Sequence, residues 1–222
     1  MSKAVYFDLD GTLIDSIPDV HLCLATALTN AGRQPLPVHR VRPLVGGGVK
    51  IMVEQALVQT GDAVSTLQIN EIAANFIAEY RKYPVRRTTI YPGGIKLLND
   101  LYELAFGLAI CTNKPRATTD PVMELLGLQR YFSLVCCGDE MTHQKPDGRH
   151  IRHMLKIMNL AADQVVMVGD SHNDVCAAYE AGVRSITVTY GYDANVLDHP
   201  NLDLVVDHLE EVPAILEKVW KQ

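Results

Sequence analysis

The sequence predicts an α/β fold: a Rossmann-like parallel sheet core with helices on both faces, plus a small all-helical segment inserted after the first strand. Two patterns predict it. From residue 84 to residue 222, short apolar runs alternate with helical periods, as expected of parallel strands joined by crossover helices. From residue 16 to residue 83, apolar residues recur at steps of three and four, and no strand-like run interrupts them. The expected division is therefore an α/β core of residues 1–15 and 84–222 and a helical unit of residues 16–83, bounded by Pro18 and Pro84. A chain of 222 residues with 48% hydrophobic and 21% charged residues can bury a core of that size.

The elements follow in order. Ala4 to Phe7 reads as a buried strand that stops at Asp8-Leu9-Asp10-Gly11-Thr12. Ile17, Val20, Leu24, Leu28 and Ala31 mark a first helix, stopped by Gly32. Met52, Val53, Ala56 and Leu57 mark a second, after three glycines at 46–48. Leu67, Ile72, Phe76, Ile77 and Tyr80 mark a third. Past Tyr91-Pro92-Gly93-Gly94, a helix through Leu97, Leu98, Leu101 and Leu104 leads to a strand over Gly107 to Cys111. Pro115 suits the first turn of the next helix, and Gly127 ends it. A strand over Leu134 to Cys137, a helix over Asp147 to Asn159 and a strand over Val165 to Val168 follow. A helix over Asp174 to Ala181 stops at Gly182, a strand covers Arg184 to Thr189, and Leu209, Val212, Ile215, Leu216 and Val219 form an amphipathic tail helix.

Charge and composition exclude several partners. The net charge is −6, and no basic stripe offers a nucleic acid a footprint. No apolar run approaches the roughly 18 residues of a membrane span, and the N-terminus reaches carboxylates too early for a signal peptide. The five cysteines, Cys23, Cys111, Cys136, Cys137 and Cys176, form no CxxC pair, and three of them follow or sit within apolar runs. They read as reduced, structural thiols of a cytoplasmic protein.

In open α/β sheets, ligands bind outside the carboxyl ends of the strands. Three apolar strands here end in polar side chains, at Asp8, Thr112 and Asp170, and those ends should meet in one crevice. Asp8 and Asp10 alone would suit an acidic surface turn. A second strand ending in carboxylates, through Asp170 and Asp174, favours an oxygen-only cation site of the kind Mg²⁺ accepts. Thr112 could donate to an anion or cap the following helix. Lys145, ahead of Pro146, could be solvated or could balance the acidic cluster. His150 and His153 lack a third metal ligand and read as a solvated helix face. His143 reads as a bystander near Lys145, and His172 as a neighbour of Asp170.

Asp8-Leu9-Asp10-Gly11-Thr12, Thr112, Lys145-Pro146 and Gly169-Asp170 through Asp174 resemble, in order, the four motifs of the haloacid dehalogenase-like hydrolase superfamily. The resemblance covers essentially the whole chain. Phe7 to Ser16, Arg42 to Gly48, Tyr91-Pro92-Gly93, Thr112 to Pro115 and Thr189 to Tyr192 look like its phosphoglycolate phosphatase branch. One departure is Gly148, where the family often has a second proline after Pro146.

The resemblance implies roles. Asp8 would be the nucleophile and Asp10 the acid and base. Mg²⁺ would be held by the Asp8 carboxylate, the Asp10 backbone carbonyl and Asp170. Thr112 and Lys145 would bind the transferring phosphoryl group, with Asp174 orienting Lys145 or a metal-bound water. Gly11, Thr12 and Asn113 from the core, and Arg42, Gly46, Gly47 and Gly48 from the helical cap, would bind substrate. Glycines let backbone N–H groups approach an anion, though these three also suit a hinge or helix start. Arg42 reaching a carboxylate would suit a small acid such as 2-phosphoglycolate; otherwise it is a surface arginine. Pyrophosphate, a sugar phosphate or a nucleotide is an alternative substrate, and a phosphomutase an alternative reaction. A receiver-like phospho-acceptor also uses carboxylates, a hydroxyl and a lysine, but is much shorter and lacks the helical insert. The expected state is monomer or homodimer, with no nucleic-acid or membrane partner.

Overall fold

The structure is a computed structural model and describes residues 3–220. Its main sheet has six parallel strands: β1 (Ala4–Phe7), β4 (Gly107–Cys111), β5 (Leu134–Cys136), β6 (Val165–Gly169), β7 (Arg184–Val188) and β8 (Leu204–Val206). Their order is β5-β4-β1-β6-β7-β8, so the chain reverses its direction of travel across the sheet on either side of β1. That reversal opens a crevice at the carboxyl ends of β1, β4 and β6.

Register aligns those ends. Phe7 pairs with Ile110 on one side and Val168 on the other, and the Asp8 N–H donates to the Val168 carbonyl at 2.9 Å. Asp8, Thr112 and Asp170 therefore leave the sheet at nearly the same level. Alternation along the strands splits the core between the two faces. Val5, Phe7, Leu108, Ile110, Val166 and Val168 face one apolar cluster, which runs on into the helical insert. Ala4, Tyr6, Ala109, Cys111, Val165 and Met167 face the other, under α7 (Arg149–Met158) and α8 (His172–Ala181).

Between the first strand and the rest of the sheet lie α1 (Ile17–Asn30), α2 (Val38–Val41), α3 (Val49–Thr60) and α4 (Thr66–Lys82). α4 packs on α1, on α3 and on α6 (Arg116–Leu125) of the core. It starts at a capping box, in which Ser65 and Gln68 satisfy each other's backbone N–H groups. A two-stranded antiparallel ribbon, β2 (Ile14–Asp15) with β3 (Thr89–Ile90), joins the two connections to the insert. α5 (Gly94–Glu103) and α9 (Val212–Val219) complete the layers. All five cysteines are free thiols.

The structure departs from the sequence reading at several places. β2, β3 and β8 are too short, at two or three residues, to stand out as apolar runs. α2 is likewise a single turn. Pro115 is extended, with φ −63° and ψ 146°, so it caps α6 from outside rather than opening its first turn. α7 begins at Arg149 rather than Asp147, and α8 begins at His172 because Ser171 and Asp174 form its capping box. No helix among the described residues is long and apolar enough to cross a membrane.

Candidate active site

The crevice gathers Asp8, Asp10, Thr112, Asn113, Lys114, Lys145, Asp170 and Asp174, all buried. Lys145 is central: its Nζ donates to Asp8 Oδ1 at 2.9 Å and to Asp174 Oδ1 at 2.5 Å. Asp174 is fixed by its place in the first turn of α8. Its Oδ2 accepts from the backbone N–H of Asp170 (3.2 Å), that of Ser171 (3.1 Å) and the Ser171 hydroxyl (2.8 Å). Asp170 accepts from the Tyr192 N–H at 2.6 Å and from the Thr12 hydroxyl at 3.3 Å. Gly11 and Gly191 border its carboxylate so closely that a Cβ on either would collide with Asp170, and Gly11 holds φ +89°.

One carboxylate oxygen each from Asp8, Asp170 and Asp174 can lie within 4.8 Å of the others. Burial pushes the Asp8 carboxyl up to about 7, with Asp174 and Asp10 adding to the effect and Lys145 opposing it. Burial, then Asp174 and Asp8, push Asp170 well above the usual carboxylate range. Clustered carboxylates that resist ionisation are what a hard cation relieves, and an all-oxygen donor set suits one. The residues therefore fit a divalent metal, and Asp174, with one oxygen on Lys145 and the other on three donors at the start of α8, is the most heavily engaged of the three.

Asp10 is engaged by other partners. Its Oδ1 accepts from the Ser16 hydroxyl at 2.5 Å, and its two oxygens take Lys114 Nζ at 2.9 and 3.0 Å. Lys114 also reaches the Tyr80 hydroxyl, on α4, at 3.3 Å. Thr112 Oγ1 accepts from the Lys114 N–H at 3.1 Å, which leaves its proton to donate elsewhere. Above these groups is a cavity of about 40 Å³. Asp8, Asp10, Thr112 and Lys114 line one side, and Val20, Val45, Val49, Met52 and Phe76 the other.

Several residues expected to bind substrate do other work. Arg42 donates to the carbonyls of Tyr190 (3.2 Å) and Gly191 (3.4 Å) and lies 5.1 Å from the Tyr192 ring centre, so it does not line the cavity. Gly11 and Thr12 support Asp170 from behind, and Thr12 is fully buried. The Asn113 side chain is fully engaged: its amide donates to the carbonyls of Gly46 and Lys145, both at 2.8 Å, and its oxygen accepts the Lys145 N–H at 3.0 Å. Gly46 and Gly48 border the cavity, whereas Gly47 borders an adjoining groove. The anionic-group contact expected of Arg42 thus has no counterpart there, because α2 and the loop after β7 draw its guanidinium to backbone carbonyls.

The histidines also sort themselves. His150 is fully buried, against the solvated face expected, because α7 turns it toward the sheet. Neither ring nitrogen has a hydrogen-bond partner, and burial, with Lys145 nearby, depresses its pKa to about 4. His153 is exposed. His143 is half-buried, 3.9 Å from Asp147, and His172 pairs with Asp193 at 3.0 Å on the surface. The sequence reading missed Lys114, Ser16 and Tyr80 as site residues. Lys114 had a usable signal: it stands two residues past a strand-end hydroxyl, as Asp10 stands two past Asp8.

The chain matches the profile of the haloacid dehalogenase-like hydrolases over residues 5–188. It belongs to that family. Phosphoglycolate phosphatase from Agrobacterium fabrum is 36% identical over 220 residues, which cover 99% of this chain and 94% of that one. Phosphoglycolate phosphatase from Chromobacterium violaceum is 37% identical over 212 residues, covering 95% and 94%. The crystal structure of a predicted phosphoglycolate phosphatase from Haemophilus somnus superposes with a TM-score of 0.91 at 26% identity, covering 97% and 98%. This member of the hydrolase family is a phosphatase, and its substrate is a small phosphorylated molecule.

Proposed function

We propose that this hydrolase is a Mg²⁺-dependent phosphatase that converts 2-phosphoglycolate to glycolate and phosphate through an aspartyl-phosphate on Asp8. The observation that carries the reading is the meeting of Asp8, Asp170 and Asp174 around Lys145, with Asp10 beside them on the cavity side. Asp8, Asp170 and the Asp10 backbone carbonyl would hold the Mg²⁺, which would supply the positive charge that lets a carboxylate approach an anionic phosphate.

In the first step an Asp8 oxygen forms a bond to phosphorus and the ester P–O bond breaks. Asp10 gives its proton to the leaving oxygen. In the second, water attacks phosphorus, Asp10 takes its proton, and the P–O bond to Asp8 breaks to release phosphate. Lys145 and the Thr112 hydroxyl hold the phosphoryl oxygens as charge builds on them. Asp174 keeps the Lys145 ammonium aimed at Asp8. Residues 16–83 serve as the cap that excludes water, closed on the core through Asn113 and Gly46. Two observations favour a small acid as substrate. The relatives from A. fabrum and C. violaceum are named for phosphoglycolate. Among the described residues lining the cavity, Lys114 offers a single cationic side chain beside Asp10, which suits one acidic group on the leaving side.

The test is phosphate release from 2-phosphoglycolate, pyrophosphate, sugar phosphates and nucleotides, with and without Mg²⁺. Metal-dependent turnover greatest on 2-phosphoglycolate supports the reading. Greater turnover on another member keeps the mechanism and replaces the substrate. No release from any of them by the folded protein overturns it.

A further inference from the structure

The cavity beyond the reacting groups is walled by Val20, Val45, Val49, Met52 and Phe76, a lining that would suit an apolar leaving group. One feature contradicts that: among the described residues lining it, only Lys114 carries a cationic side chain. Its ammonium is buried, lies 2.9 and 3.0 Å from the Asp10 oxygens, and is backed by the Tyr80 hydroxyl at 3.3 Å and the Tyr80 ring at 4.6 Å. A lysine held in this way presents a fixed positive charge next to the carboxyl that serves the ester oxygen. Arg42, the other candidate for reading an anion, is directed to the carbonyls of Tyr190 and Gly191 instead.

We propose that Lys114 is the specificity-determining residue of the site, reading a carboxylate one carbon removed from the ester oxygen that Asp10 serves. This rests on the phosphatase reading above and adds the contact that selects the substrate. The distances support it. A carboxylate oxygen three bonds beyond an ester oxygen, through one methylene and the carboxyl carbon, lies about 3 Å from it, with bonds of about 1.5 Å. That is the separation between the Asp10 oxygens and Lys114 Nζ.

The test compares 2-phosphoglycolate with ethyl phosphate, which keeps the two-carbon leaving group and lacks the carboxylate. Both are assayed with the full chain and Mg²⁺, in the wild type, Lys114→Met and Lys114→Arg. The wild type should prefer 2-phosphoglycolate in kcat/KM. Lys114→Met should lower that preference by about ten- to a hundredfold, the loss of one charge-assisted hydrogen bond. Lys114→Arg should keep part of it, and serves alone if the methionine variant does not fold. If Lys114 only holds Asp10 in place, both substrates fall by the same factor and the ratio stays put, which overturns the proposal but leaves the phosphatase reading intact. A wild type that hydrolyses ethyl phosphate as well as 2-phosphoglycolate overturns both the substrate and the role given to Lys114.

Discussion

Asp19 and Thr88 are bound to each other across the two connections that lead into and out of the helical insert. Oδ2 of Asp19 accepts from the Thr88 N–H at 2.8 Å and from the Thr88 hydroxyl at 2.7 Å. The same carboxylate accepts the N–H groups of Arg86 (3.0 Å) and Arg87 (2.9 Å), and it is 2% exposed. Asp19 stands in the first turn of α1, and residues 86–88 return the chain from α4 to the core. One side chain therefore fastens both ends of the insert.

Removing that carboxylate leaves buried backbone donors without partners. Asp19→Ala should lower unfolding stability by about 2–4 kcal/mol, from the donors it orphans. Urea denaturation checks this. A loss under about 0.5 kcal/mol would mean that water takes over these donors and that the clamp is not structural.

The division of labour between Asp8 and Asp10 has distinct consequences. Asp8→Asn should abolish steady-state phosphate release, because no carboxylate oxygen is then available to attack phosphorus. Asp10→Asn should slow release by about 10²–10⁴-fold, the usual worth of positioned acid–base catalysis. Equal, small losses in both variants would mean that neither residue holds the role assigned to it.

Metal binding should register in stability as well as in rate. In the apo protein, Asp8, Asp170 and Asp174 repel one another in a buried space. A saturating divalent cation should stabilise the fold by mass action, by about 2.7 kcal/mol at a hundred times Kd, and so raise Tm. Asp170→Asn should remove that Mg²⁺-induced rise without lowering the apo Tm. Calorimetry with Mg²⁺ and with EDTA decides it: a variant that still shows the full rise would remove Asp170 from the cation's donors.

His150 gives the protein an acid sensitivity that depends on one residue. Its folded pKa, about 4, is below the ordinary value of 6.5 because burial opposes the charge, with Lys145 and His153 adding and Asp174 opposing. The unfolded chain therefore binds the proton first. Stability is whole above about pH 6.5 and falls as the pH drops from there toward 4, by about 2 kcal/mol between pH 7 and pH 5. His150→Leu should lose about that much less than the wild type over the same interval. Denaturant midpoints at the two pH values give the difference directly, and parallel curves for the two proteins would assign the acid sensitivity elsewhere.

Much of this was legible in the chain before folding. Asp8, Thr112 and Asp170 each end a continuous apolar run, and a run of that kind is a buried strand whatever surrounds it. The glycines that stop helices, Gly32, Gly127 and Gly182, all hold positive φ. The short strands were not legible: β8 is a strand because the edge of β7 is there to pair with, and nothing in Leu204–Val206 alone requires it. His150 was misread because a histidine suits either face of an amphipathic helix.

By itself, then, the sequence determined the alternation of strands and helices, the place of the helical insert and the identity of the strand-end acids, since each depends on residues adjacent along the chain. The tertiary structure decided where the charges go. Lys114 and Asp10 are 104 residues apart, and Lys145 and Asp8 are 137 apart. Which ammonium meets which carboxylate, and why Arg42 is turned aside while Lys114 faces the cavity, follows from the sheet order and from the packing of α4 against α6. Side-chain direction at such distances is fixed by contacts between elements, and those exist only once the chain has folded.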